Sequence, residues 1–189
     1  MKPSACFVSF IDVLSPGTER LLTCSPETRK RFHTGFMNAL GEIAFKDNGK
    51  LVYRFEESFA CRFPQTSDPT NLTAFENALQ CSLEQRDRMG SLSYENLRLG
   101  IPKTCYRICA NYEILNFETN LEEAFNRSVQ FPHIDKIWWI GLTSSILLGE
   151  PLYEILITIL NIREHFDFPK SGEYMMEDKG PYSIYALAF

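Results

Sequence analysis

The run Ala5-Cys6-Phe7-Val8-Ser9-Phe10-Ile11 constrains this chain more than any other stretch. It is apolar almost throughout, where a half-exposed strand would alternate. Such a run reads as a central β-strand covered on both faces. It ends on Asp12, and Ser15-Pro16-Gly17 then turns the chain. A charge at the end of a central strand is either exposed at the sheet edge or part of a site.

The elements that follow supply partners for that strand. Ser25-Pro26 is a helix start, a Ser cap followed by Pro at the first helical position. Phe32, Phe36, Leu40 and Ile43 recur at helical spacing until Asp47-Asn48-Gly49 stops the element. Two short strands come next. Val52, Tyr53 and Phe55 favour the first; Phe59, Cys61 and Phe63 alternate along the second. Glu56-Glu57 lies where they meet. After a polar loop from Pro64 to Pro69, Leu72, Phe75, Leu79 and Leu83 mark a second helix. Gly90 to Asn96 reads as a loop, and Leu97 to Ile101 begins a strand that resumes at Cys105 to Ile108. The order is βαββαβ, which predicts an α+β domain: one antiparallel-containing sheet of ferredoxin-like type, with the helices near 26–46 and 70–89 on one face.

Beyond this core, Asn120 starts a short helix and Lys136-Ile137-Trp138-Trp139-Ile140 reads as a strand. Helical patterning runs from about Thr143, breaks at Gly149 to Pro151, and resumes through Leu152, Ile155, Leu156, Ile159 and Leu160. Tyr182 to Phe189 closes the chain as a strand. There is no internal repeat and no linker, so residues 1–189 are expected to form one domain. A chain of this length buries about 70% of its unfolded surface.

Composition excludes several function classes. The formal charge is −5, and Arg29-Lys30-Arg31 is the only basic run. A nucleic-acid surface is therefore not expected, because phosphate binding needs clustered Lys and Arg. Six cysteines show no CxxC pair, and Cys6, Cys61 and Cys105 fall in apolar strand patterns that suit buried free thiols. Met1-Lys2-Pro3 leads straight into a strand without a secretory pattern, and the apolar run 137–148 is too short to span a bilayer. The expected compartment is the cytoplasm. His33, His133 and His165 are scattered, which disfavours zinc.

The first strand and the hairpin are central neighbours in a βαββαβ sheet, so Asp12 and the acidic pair can meet at one edge. Adjacent side chains point to opposite faces, so only one of Glu56 and Glu57 joins a given site. Two converging carboxylates suit a hard cation, Mg²⁺ or Mn²⁺. A solvated hairpin turn and an ordinary strand-end residue account for the same letters.

Phe10-Ile11-Asp12-Val13-Leu14 resembles the Phe-Ile-Asp-Ile-Leu-Gly-Phe-like first strand of class III nucleotidyl cyclases, in particular a branch of small bacterial proteins. Phe55 to Phe63 is similar to that family's Ile-Gly-Asp-Gly-Phe-Met-Ala-Val-Phe hairpin. Leu97 to Ile101 resembles its next strand, and Ile140-Gly141 its last catalytic segment. The resemblance covers about residues 5–160. It implies that Asp12 and Glu57 hold the metal, with Glu where the family has Asp. Tyr53 and Trp138 fall on base-reading positions, and Ser145 on the ribose-orienting asparagine. The transition-state arginine falls on Gly149, with Arg127 or Arg163 as substitutes from elsewhere. The family's dimers imply a homodimer here.

Three functions follow. The first is a catalytically degenerate cyclase-like domain, with no catalytic residue assigned, acting by dimerisation and by holding a nucleotide, a cyclic nucleotide or a metal. The second is an active cyclase making a cyclic nucleotide from a nucleoside triphosphate with release of pyrophosphate. The third is a viral or host-defence interaction protein on the same scaffold.

Overall fold

The computed structural model describes residues 5–14, 17–55, 58–98, 100–101, 103–114, 146–176 and 180–188. The first strand, β1 (Cys6–Leu14), is buried at every position. It is followed by the short helix α1 (Gly17–Leu22) and the long helix α2 (Pro26–Lys46). Ser25 caps α2, its Oγ accepting from the Thr28 N–H at 3.2 Å, and Pro26 occupies the first turn. Asn48 ends it at φ 60°, where the Gly49 N–H reaches back to the Ala44 carbonyl at 2.7 Å. Strands β2 (Lys50–Phe55) and β3 (Ser58–Phe63) form the expected hairpin.

The second long helix, α3 (Leu72–Arg98), departs from the sequence reading. A loop is expected from Gly90 to Asn96 and a strand from Leu97, but the helix continues through that loop and takes in Leu97 and Arg98. Its apolar stripe explains this. Met89, Leu92, Ser93 and Asn96 continue the buried face beyond Gly90. A helical glycine costs only about 1 kcal/mol relative to alanine, less than the burial of one large side chain gains. The next strand is β4 (Cys105–Glu113).

A second correction concerns the C-terminal part. Ile146–Gly149, where helical patterning up to a break at Gly149 is expected, is a strand, β5, running parallel to β4. Its four residues are all buried. A short apolar run covered on both faces carries no period that separates helix from strand. Helices α4 (Glu150–Leu156) and α5 (Leu160–His165) follow, then the hairpin of β6 (Lys170–Met176) and β7 (Gly180–Ala186). One closing strand was expected; there are two, because the mixed polar run of β6 forms an edge. The helix expected from Asn120 and the strand expected at Lys136–Ile140 lie outside the described residues.

The seven strands form one mixed sheet in the order β2-β3-β1-β4-β5-β7-β6, in which the four strands of the βαββαβ core run inward from the β2 edge. Alternate residues of β1 serve different faces. Phe7, Ile11 and Val13 pack with Phe32, Phe36 and Leu40 of α2 and Phe75, Leu79 and Leu83 of α3. Cys6, Val8 and Phe10 join a smaller cluster on the other face with Ala60, Cys109, Leu147 and Ile184. That alternation decides where Asp12 points.

Candidate functional site

Asp12 shares the parity of Val8 and Phe10, so it faces away from α2 and α3. It is 8% exposed. Strand β1 lies between β3 and β4, and Asp12 stands opposite Ser58 on one side and Arg107 on the other. The Ser58 hydroxyl donates to Asp12 Oδ1 at 2.9 Å. Arg107 is half-buried; burial pushes its pKa down, while Cys109 and the Asp12 carboxylate pull it back up. A guanidinium starts so high that it remains charged. The result is a cross-strand row, hydroxyl, carboxylate, guanidinium, on one face of the sheet. Arg107 reads in sequence only as a countercharge on a strand; the register gives it a place beside Asp12.

The strand ends on either side of residues 56–57 stand at the same end of the sheet. Phe55 pairs with Ser58, and Ser58 with Asp12, so the strand ends flanking the turn lie level with Asp12. Glu56 and Glu57, Trp138, Ser145, Arg127 and the Tyr53 side chain lie outside the described residues; the Tyr53 backbone pairs with Ala60 in β2. Among the described residues no three His, Cys, Asp or Glu side chains cluster as a metal cage. One carboxylate and a neighbouring hydroxyl nevertheless fit part of a hard-cation shell. Mg²⁺ typically takes one or two carboxylates and completes its shell with water and substrate phosphates.

Gly149 does not occupy a catalytic helix. It ends β5 and precedes α4. A Cβ there would lie 2.7 Å from Asn111 Cγ and collide with the Tyr182 hydroxyl, which donates to Asn111 Oδ1 at 3.1 Å. Glycine is required for the close packing of β5 on that pair. The position onto which the resemblance carries the transition-state arginine is thus a strand end with no room for a side chain. Arg163, the proposed substitute, is exposed on α5. That helix joins the helical layer through Ile162, and Asn161 bonds Glu76 of α3 at 3.3 Å. Asp12 faces the opposite side of the sheet.

A cavity of about 470 Å³ lined by Tyr112, Glu113, Glu150, Glu154 and Tyr182 lies at the far end of the strands. Glu113 pairs with Cys6, six positions along β1 from Asp12, which at about 3.3 Å per residue is about 20 Å away. The cavity is not part of the Asp12 row.

No protein-family model matches this sequence, and no curated protein matches it. Solved structures do. The chain is similar to the adenylyl cyclase CyaB from P. aeruginosa, with a TM-score of 0.75 and 17% identity, over 100% of this chain and 95% of that one. The catalytic core of a rhodopsin-guanylyl cyclase in complex with ATPαS matches with a TM-score of 0.72 and 10% identity, over 98% and 96%. The guanylate cyclase domain of RhGC from Catenaria anguillulae in complex with GTP matches at 0.70 and 10%, again over 98% and 96%. The fold is thus a mixed sheet flanked by helices that resembles the class III nucleotidyl cyclase catalytic core. Among the described residues no helix is long and apolar enough to cross a membrane.

Proposed function

We propose that this chain is a cyclase-like domain that binds a nucleoside triphosphate with Mg²⁺ or Mn²⁺ at the Asp12 end of its sheet and acts as a homodimer. The observation that carries this reading is the Ser58–Asp12–Arg107 row, set on a fold similar to domains solved with ATPαS and GTP. Asp12 would ligate the cation, with Glu57 from the adjoining turn as second carboxylate. Ser58 holds the Asp12 carboxylate in one orientation. Arg107 presents a fork of N–H donors that matches phosphate oxygens. The cation, when bound, neutralises triphosphate charge and lowers the pKa of a ribose hydroxyl. Tyr53, Trp138 and Ser145 remain the proposed contacts to base and ribose.

Two readings of turnover are open to experiment. The degenerate one, in the manner of a divergent small bacterial-type branch, rests on Glu57, which is one methylene longer than the family's Asp. The active one is favoured by the place of Gly149: a strand end cannot count as a lost helix arginine. The pure protein should be incubated with each of the four ribonucleoside triphosphates and Mn²⁺, and the products examined by mass spectrometry. A cyclic product lost in D12A and E57A establishes the active cyclase. Triphosphate and Mn²⁺ binding without product establishes the degenerate domain. Absence of both overturns the nucleotide reading and leaves an interaction protein on this scaffold. For assembly, light scattering at tens of micromolar is expected to report a dimer; a monomer would refute that part.

A further inference from the structure

We propose that the cavity between the end of β4, the start of α4 and the β6–β7 hairpin binds a small primary amine that carries a neighbouring hydrogen-bond acceptor and an apolar arm. The site lies at the opposite end of the strands from Asp12 and stands independently of the nucleotide reading.

The cavity, about 470 Å³, falls within the size range of small-molecule sites, about 300–1,000 Å³. Three carboxylates line it, Glu113, Glu150 and Glu154. Glu113 is 4% exposed, so its charge acts in surroundings that screen it poorly. Burial pushes the phenols of Tyr174 and Tyr182 up, and the Glu113 charge adds to both shifts. Glu150 Oε2 accepts from the Ser183 N–H at 3.0 Å, which ties the first turn of α4 to β7. Glu154 stands one helical turn further on and is exposed at the rim. Two basic groups act on the same neighbourhood. Arg62 acts with Glu113 on Cys6, and Lys170 feels Glu150 while paired with Glu173. With both counted, and Glu173 too, four carboxylates face two cations among the described residues. The cavity therefore favours a cationic ligand and repels a phosphorylated one.

A second signal comes from a neutral side chain. Asn111 is 0% exposed and shares the sheet face of Glu113, two residues away. The hydroxyl of Tyr182, which lines the cavity, donates to Asn111 Oδ1 at 3.1 Å. Gly149, next to Glu150, packs closely on the same amide. Asn111 thus lies against the inner wall. Its Nδ2 is buried and has no hydrogen-bond partner among the described residues. A buried donor left in this way is costly, and an acceptor on the ligand would satisfy it. The carboxylates call for a cation and Asn111 for a lone pair. An ammonium group with a hydroxyl on the adjoining carbon supplies both. Tyr112, Tyr182 and Met176 line the cavity as well, offering apolar and aromatic surface to the rest of the ligand.

The test is calorimetric titration of the full chain with 2-amino-1-phenylethanol and two close relatives. One is 2-phenylethylamine, which lacks the acceptor; the other is 1-phenyl-1,2-ethanediol, which lacks the ammonium. The amino alcohol is expected to bind with a Kd of about 1 mM or below. The amine should bind about three- to tenfold more weakly, and the diol at least about tenfold more weakly. E113Q should weaken the amino alcohol by about tenfold, and E154Q, at the rim, by about threefold. If circular dichroism shows that E113Q does not fold, the double variant E150Q/E154Q replaces it, with a loss of about tenfold expected. No binding of the amino alcohol, equal binding of the diol, or unchanged affinity in the carboxylate variants overturns the site. An amine that binds as tightly as the amino alcohol overturns the role given to Asn111.

Discussion

Asp12 and Arg107 face each other across the β1–β4 pair, while Ser58 faces Asp12 from β3 and donates to it at 2.9 Å. An acid accepts a hydrogen bond from a neutral donor on one side and has a cation in register on the other. Ser58 is the member whose removal leaves the charges untouched. In S58A the carboxylate loses its orienting bond, worth about 1 kcal/mol, so affinity for the Mn²⁺–triphosphate complex is expected to fall by about three- to tenfold. Calorimetric titration checks this; an unaltered affinity would mean that the hydroxyl does not orient Asp12.

Gly149 gives a prediction on stability. G149A places a methyl group against Asn111 and the Tyr182 hydroxyl, and overpacking of this kind costs about 1–3 kcal/mol or more. Adding N111A removes one of the two clashing groups. The double variant is expected to be less destabilised than the sum of the two single ones, by about 1 kcal/mol, in urea unfolding. Strict additivity would contradict the contact.

Gly90 gives a prediction of opposite sign. It lies inside α3, and a Cβ there meets nothing closer than the Tyr106 hydroxyl at 3.9 Å. G90A is expected to stabilise the fold by about 0.5–1 kcal/mol by restricting the unfolded chain. A loop at this point, as the sequence reading has it, would give no such gain, so the urea midpoint separates the two.

Phe36 and Phe45 lie on the same helix with opposite fates. Phe36 is 0% exposed and Phe45 83% exposed. F36A should cost about 3–5 kcal/mol and F45A less than about 0.5 kcal/mol. Equal losses in chemical denaturation would reverse the assigned helix face.

The thiols set an alkaline limit. Burial pushes Cys6 up to about 11 and Cys61 up to about 12, from a model-peptide value near 9.0. Above pH 9 the unfolded chain releases protons that the folded chain keeps, so stability falls as pH rises through that window. Urea midpoints measured from pH 8 to 10.5 should decline. At pH 8 a thiol reagent should react quickly only with half-buried Cys24 and Cys105, and with all six cysteines in denaturant. Rapid reaction of Cys61 in the folded protein would contradict its burial.

Local chemistry in the sequence determined much of this protein. The unbroken apolar run of β1, the Ser25-Pro26 cap, the turn at Asn48-Gly49 and the paired strands around residues 50–63 are each written in a few adjacent residues. Their order gives the βαββαβ core. Asp12 was legible as a candidate because a carboxylate in a central strand is unusual wherever the strand pairs, although the strand does not end there as expected but runs on to Leu14, paired with Cys105 of β4. Tertiary structure decided what no local period encodes. α3 runs past Gly90 because the main core buries Met89 and Leu92, the latter against Gly35 of α2. Ile146–Gly149 is a strand because β4 and β7 supply its hydrogen bonds. Arg107 stands beside Asp12, and Gly149 against Asn111, through strand register alone. Register arises from packing between segments far apart in the chain, so each letter had its chemistry in the sequence and acquired its neighbour only in the fold.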